Sequence, residues 1–197
     1  SLIGRIGAAH MVPLLEPLLR DPADEVSLAA IEAASEVGVL DLVPPLLLRL
    51  DEPSLHDAAV GALAAMPDGV VALLSAQLEA DYLSTERRIG IARVMAQKGG
   101  RDAVRALWSQ LGQERPLSVR LDTARALRQL RVREGLYRVD LPNYRARIMD
   151  AVGRIEVLLD IAAASRHVEA FVSRCCAEHA RLYVELVLNL LAVRFAP

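Results

Sequence analysis

The stretch LDLVPPLLLRLDEPSLHDAAVGALAAM, residues 40–66, combines an apolar helix, a six-residue polar turn and a helix of small residues. The chain restates this unit before and after it. Similar polar turns begin at Asp21, Asp51, Asp81 and Glu114, so their starts are separated by 30, 30 and 33 residues. A near-constant period of this length predicts an all-α fold in which pairs of helices stack into a solenoid.

Apolar residues recur at fixed distances from these turns and define the predicted buried faces. A leucine lies three residues before each turn, and a further apolar residue lies four before that leucine. This spacing gives the first helix of each pair one apolar face. In the second helices, small or aliphatic inward residues let neighbouring helices approach closely. The predicted positions are Leu14, Leu18, Pro44, Leu48, Leu74, Leu78, Leu107 and Leu111 in the first helices, and Ala34, Ala64, Val94 and Leu127 in the second.

The first full repeat, residues 9–38, resembles the motif of HEAT repeats, of the short kind also called HEAT-like or phycobilisome-lyase-type repeats. That motif has an apolar helix, a turn of the type Asp-Pro-x-x-x-Val, an arginine, and an alanine-rich helix that ends near a glycine. The resemblance implies a right-handed α-solenoid and says little about function. The motif's arginine has counterparts in Arg87 and Arg120, whereas Ser27 and Asp57 take its place in the first two units. The matching residues of the first unit are Asp21, Pro22, Val26, Ala29, Ala30 and Gly38.

The period divides the chain into repeats followed by a different C-terminal section. Beyond Arg131 the 30-residue register is lost, and apolar residues at three- and four-residue spacing predict two longer helices, over about 141–165 and 167–194. We expect this pair, residues 132–197, to pack on the repeats as one continuous domain. The predicted repeats cover 1–131, as a half unit at 1–8 and units at 9–38, 39–66, 67–100 and 101–131.

Both ends of the sequence lack the polar cap that a solenoid needs. Residues 1–8 are similar to the closing half of a repeat, and the last ten residues are mostly apolar. We therefore expect a segment of a longer protein, with ends that permit self-association.

Composition indicates an ordinary water-soluble domain. Of its 197 residues, 53% are apolar and 24% are charged, which is enough for one substantial core. The longest apolar stretch, 182–196, is interrupted by polar residues, and no signal peptide is recognisable, so we expect a cytoplasmic chain without a membrane span. The adjacent Cys175 and Cys176 lack the spacing of a zinc site and are expected to be half-buried thiols in a reducing compartment. No cofactor is expected.

The net charge of −2 conceals a strong division along the chain. Residues 1–86 hold 3 basic and 14 acidic side chains, whereas residues 87–154 hold 16 basic and 6 acidic ones. All but one of those 16 are arginine, whose forked guanidinium suits carboxylate and phosphate. If they face the concave side, the second-helix arginines form a basic stripe that holds an anion; alternatively, they pair with the acids of their own turns or lie on a solvated face. The candidate residues are Arg87, Arg88, Arg93, Arg120, Arg125 and Arg128.

Function is predicted as a non-catalytic scaffold or protein-interaction domain, which the resemblance to HEAT-like proteins also implies. The charge division suggests an acidic protein segment as its partner. An alternative is a nucleic-acid module similar to HEAT-like alkylpurine DNA glycosylases, but the single Trp108 offers no aromatic set for base stacking. As for an enzyme, the four scattered histidines and the absence of a phosphate loop predict no catalytic constellation and no metal site.

A second resemblance concerns context. Residues Leu2 to Ala8, together with the helical stretch from Leu186 to Phe195, look similar to the soluble HEAT-like region of bacterial membrane proteins that resemble ADP/ATP translocases. That resemblance implies a cytoplasmic regulatory domain of a transporter-like protein. Any nucleotide transport would then belong to the membrane part of such a protein.

Overall fold

The computed structural model describes residues 2–80, 82–113, 115–134, 143–165 and 170–195, and these residues are organised as α-helices without strands. The expected all-α class is thereby confirmed. A short 3-10 helix, Leu40–Leu42, precedes α3. The helices are α1 (Leu2–Leu18), α2 (Asp24–Val37), α3 (Val43–Arg49), α4 (His56–Ala65), α5 (Gly69–Leu78), α6 (Thr85–Lys98), α7 (Gly100–Leu111), α8 (Leu117–Glu134), α9 (Tyr144–Ser165) and α10 (Ala170–Phe195).

The chain divides into two compact units, a first unit of residues 1–106 and a second unit of residues 107–197. The division falls within α7. The two units are defined by contacts in space, whereas the boundaries expected from the sequence are defined by its period. Those expected repeat and domain boundaries stay predictions. Within the described ranges, no helix combines the length and the apolar character that a membrane crossing requires.

In the first unit, helices pack in a repeated order. α2 packs on α4 and α4 packs on α6, whereas α1, α3 and α5 each contact the helix that follows them: α2, α4 and α6. The predicted turns at Asp21 and Asp51 lie between the members of a pair. Asp81 and Glu114, which start the other two turns, lie outside the described residues.

Local sequence determines where several of these helices begin and end. Gly38 follows α2 with a φ of 62°, a left-handed conformation that glycine adopts without steric cost, and its amide donates to the Ala34 carbonyl. α3 has proline in its first turn, where no intrahelical amide bond is needed. Ser84 caps α6 by accepting from the Arg87 amide at 3.2 Å.

The predicted apolar face is correct in α5 and α7, the first helices of the last two predicted pairs, and wrong in α1. Leu74, Leu78, Leu107 and Leu111 are buried, but Leu14 and Leu18 are 62% and 43% exposed. The prediction also fails in α3, where Pro44 is exposed and Leu48 is half-buried. In α1 the buried face lies one residue further along the chain, which rotates it by about 100°. Aligning the turns fixes the spacing of residues and leaves the rotation of each helix about its axis undetermined. The buried leucines of this first segment are Leu15 and Leu19.

The second helices follow the prediction more closely. Ala34, Val94 and Leu127 are buried, and Ala64 is half-buried beside a fully buried Leu63.

The second unit contains the two predicted long helices. α9 and α10 pack along each other, and α10 also packs on α8. The observed bounds of α9 and α10 lie within a few residues of the predicted 141–165 and 167–194; residues 141–142 and 166–169 lie outside the described part. Two residues assigned to the apolar faces, Leu159 and Leu182, are 51% and 38% exposed, so these faces are buried only in part.

Candidate functional site

The candidate arginines of the first unit lie on α6 and serve different purposes. Arg88 is 3% exposed and donates to the carbonyls of Leu78, at 2.9 Å, and of Ala80. These carbonyls lie at the end of α5 and just beyond it, where a helix lacks internal donors. Arg88 therefore joins α6 to α5 and does not present its guanidinium on an accessible surface.

Arg87 and Arg93 contact acids of the preceding helix pair. Arg87 forms an ion pair with Asp51, which also accepts from the Ser84 hydroxyl at 2.5 Å. Arg93 pairs with Asp57 at 3.3 Å, where both side chains are well exposed. Both arginines therefore pair with acids, but these acids belong to the preceding helix pair and not, as the alternative interpretation expected, to the arginines' own turn.

The three remaining candidates lie on α8, in the second unit. Arg120 is 8% exposed and donates to Asp150 of α9 at 3.0 Å. Arg125 donates to Glu185 of α10 through Nε at 2.9 Å and Nη2 at 2.6 Å. These hydrogen bonds raise the pKa of Arg125 above its ordinary value, against the opposing effect of burial. Arg125 also lies 3.6 Å from Asp122.

Arg128 is exposed one turn beyond Arg125. Together they line a cavity of about 520 Å³ between α8 and α10. Arg133 lines it as well, so the cavity wall carries three guanidiniums and the carboxylate of Glu185. Because Arg125 and Arg128 line it together, this cavity is the candidate anion site of the second unit. Its lining residues are Arg125, Arg128, Gln129, Val132, Arg133, Glu185 and Asn189.

Two residues of this cavity, Arg125 and Arg128, were candidates from the sequence, and the others were not. The helical spacing of Gln129, Val132 and Arg133 relative to Arg125 is a signal that the sequence does contain. Glu185 lies 60 residues away from Arg125, and no local pattern links the two.

Trp108 is built into the interior of the second unit. Trp108 is 3% exposed and stacks on Tyr144, with 5.9 Å between ring centroids. The Arg147 guanidinium lies 4.3 Å from the Trp108 ring centroid, within the range of a cation–π contact. Burial, and secondarily the charge of Arg120, lowers the pKa of Arg147. Trp108 is consequently not placed to stack on a nucleic-acid base.

Histidine and cysteine side chains do not converge in the described residues. His56 and His179 each place Nδ1 against a nearby backbone carbonyl, Leu50 at 2.8 Å and Cys175 at 3.0 Å. Cys175 and Cys176 are half-buried free thiols, as predicted. Within the described part of the chain, no group of three His, Cys, Asp or Glu side chains has the arrangement of a metal site. His167 lies outside the described residues.

The chain matches no protein-family model, no curated protein and no solved structure.

Proposed function

We propose that this protein is a non-catalytic interaction domain, built in its first unit from HEAT-like helix pairs, that binds an acidic segment of a partner protein. The repeated packing order, α2 on α4 and α4 on α6, supports the proposal of a solenoid. The proposal of an acidic partner rests on the cavity lined by Arg125 and Arg128, which we call the α8 cavity.

The arrangement of the cavity favours an extended acidic peptide. Arg125 and Arg128 are both exposed and lie on adjacent turns of α8. Glutamate carboxylates form forked, charge-assisted hydrogen bonds with guanidinium groups. The Glu185 carboxylate already forms an ion pair with Arg125, in the way that a glutamate of a bound peptide would. A partner carboxylate therefore binds at Arg128 and competes with Glu185 for Arg125.

The test measures anisotropy of a fluorescein-labelled oligoglutamate peptide with the whole chain at low salt. The Arg128→Gln variant removes an exposed guanidinium that, among the described residues, takes part in no ion pair. Because exposed charge pairs contribute about 0.2–1 kcal/mol, we expect its Kd to rise by a factor of about 1.4 to 5. Arg181→Gln is the matched control, since Arg181 is exposed on α10 and is not among the residues that line the cavity.

For a second variant, Glu185→Gln, we expect the Kd of the peptide to change in the opposite direction. Glu185→Gln removes the carboxylate that holds Arg125, so the peptide should bind more tightly than to the wild type. Equal affinities for Arg128→Gln and Arg181→Gln, together with weaker binding to Glu185→Gln, would contradict the proposal. A single-stranded DNA probe that binds more tightly than the peptide, and loses affinity in Arg128→Gln, would instead identify the partner as nucleic acid.

A further inference from the structure

A second cavity of the second unit lies between α9 and α10 and has a different chemical character. It measures about 590 Å³, a volume within the range of small-molecule sites. Met149, Gly153 and Val157 follow one another at four-residue spacing and form one wall along α9. The full set of lining residues is Met149, Asp150, Gly153, Arg154, Val157, Leu158, His179 and Tyr183.

A glycine keeps this groove open. Gly153 lies inside α9, where glycine is less favourable than alanine by about 1 kcal/mol. A Cβ atom built on Gly153 would meet nothing within 4 Å, so close packing does not require glycine at this position. Met149 and Val157, on either side of it along α9, are 58% and 59% exposed. The apolar surface of the groove is therefore accessible to a ligand.

The wall of the groove carries one carboxylate and one guanidinium, Asp150 and Arg154, and the buried Arg120 adds a second guanidinium to this cluster. Asp150 accepts from Arg120 at 3.0 Å and from Arg154 at 3.3 Å, so two guanidiniums share one carboxylate. Arg154 is 47% exposed and lines the groove, whereas Arg120 is buried. The Arg120 guanidinium also lies 5.9 Å from the ring centroid of Tyr183, which lines the opposite side. A ligand that brings a negative charge to Arg154 completes the charge balance of this cluster.

We propose that the α9–α10 groove binds a small amphipathic organic anion, such as an acyl or aryl carboxylate or sulfonate. Its apolar body lies over Gly153 between Met149 and Val157, and its anionic group meets Arg154. Apolar walls provide the burial, and the guanidinium provides orientation, as in most small-molecule sites. This site is separate from the arginine cavity on α8 and does not rest on the function proposed for that cavity.

The experiment uses the whole chain, with anilinonaphthalene sulfonate fluorescence as the direct probe and decanoate as the competitor. Decanol, which has the same chain without the charge, is the matched ligand control. We expect decanoate to displace the probe at a concentration at least about fivefold lower than decanol, since the charged group interacts with Arg154. Arg154→Gln should remove this preference and leave decanol unchanged.

Filling the groove gives an independent test. Gly153→Leu places a side chain in the open space and should abolish displaceable probe fluorescence, while leucine's higher helix propensity raises the Tm. Gly61→Leu is the matched control, because Gly61 also lies inside a helix of the first unit with nothing within 4 Å of a Cβ position. It should raise the Tm and leave binding unchanged. Circular dichroism verifies that each variant is folded.

Val157→Glu is the second groove variant, in case the leucine variant does not fold. It adds a negative charge at an exposed position of the wall and should weaken decanoate more than decanol. The proposal is overturned if decanol displaces the probe as well as decanoate does, or if the folded groove variants bind like the wild type. The oligoglutamate peptide should not compete with decanoate, which separates this result from that of the α8 cavity.

Discussion

The guanidinium of Arg88 illustrates, at the scale of one residue, why a basic section need not be a basic surface. It lies buried at the start of α6 and donates to carbonyls at the end of α5. Ser27 and His56 have similar roles in the first two helix pairs, with a hydrogen bond from the Ser27 hydroxyl to the Asp21 carbonyl at 3.0 Å. Ser27 stands where the motif that the sequence resembles has an arginine, and its hydroxyl donates to a carbonyl that follows α1.

Replacing Arg88 by methionine should therefore destabilise the protein. Methionine keeps much of the side-chain volume but leaves the Leu78 and Ala80 carbonyls without these donors. An unsatisfied buried polar group costs about 1–3 kcal/mol, and urea denaturation should show a loss of that size. Arg93→Met on the same helix is the control, since an exposed ion pair contributes about 0–1 kcal/mol. Equal losses in the two variants would contradict the capping role of Arg88.

Tyr144 provides a second prediction at this scale, concerning pH. Its hydroxyl donates to the Leu190 carbonyl at 2.7 Å, and burial raises its pKa, partly offset by the charges of Arg194 and Arg131. Because the folded-state pKa lies above the unfolded value of about 10, stability from the neutral phenol is complete below about pH 10. It is lost as the pH rises through the folded-state pKa.

Tyr144→Phe removes both the hydrogen bond and the titration. We expect the variant to be less stable than the wild type by about 1 kcal/mol at pH 7, and this difference to shrink as the pH rises above about 10. Guanidinium denaturation at a series of pH values from neutral to strongly alkaline measures it. A difference that stays constant with pH would show that Tyr144 does not titrate differently in the folded and unfolded states.

At the scale of helices, the existence and length of a helix were more predictable from the sequence than its rotation about its own axis. Periodicity identified α9 and α10 because apolar residues at three- and four-residue spacing over so long a stretch are typical of an amphipathic helix. It misplaced Leu14 and Leu18, because α1 is rich in apolar residues on several faces and neighbouring helices decide which face is buried. Spacing alone carries no information about those neighbours.

Helix ends are more predictable than helix rotation. Variants of Gly38, at the end of α2, and of Gly61, inside α4, test this. Gly38→Ala places a Cβ at a φ of 62°, which should cost about 1 kcal/mol. Gly61→Ala lies inside α4 and should stabilise the protein by about 0.5–1 kcal/mol, since alanine loses less conformational freedom. Thermal denaturation of both variants should therefore give Tm shifts of opposite sign. Shifts of the same sign would contradict the C-cap assignment of Gly38.

At the scale of the whole molecule, composition located the arginine-rich section but could not separate its uses. Arg125 and Arg128 were two of the six arginines predicted to form a stripe, and their three-residue separation places them on adjacent turns of one helix. The carboxylates of Asp150 and Glu185, which decide how much positive charge stays available, come from helices α9 and α10. Only tertiary packing brings them to α8, so neither the arginine cavity nor the α9–α10 groove was predictable in full.

The charge division predicts how copies of the chain interact with one another. Residues 1–86 carry 14 acidic and 3 basic side chains and residues 87–154 carry 16 basic and 6 acidic ones, so one copy offers both signs to another. At an ionic strength of about 0.01 M the Debye length is about 30 Å, compared with about 8 Å at about 0.15 M. We therefore expect reversible self-association at low salt that weakens as salt is added.

Light scattering coupled to gel filtration measures this association as a weight-average mass that exceeds the monomer's 21.4 kDa at low salt and falls toward it as salt is added. Arg128→Glu combined with Arg133→Glu reverses two charges of the α8 cavity and should reduce the low-salt mass. Apolar contacts respond differently, because excluded salts such as sulfate strengthen the burial of apolar surface. A mass that rises with added sulfate would therefore place self-association on exposed apolar residues such as Phe171 and Leu188, and not on complementary charge.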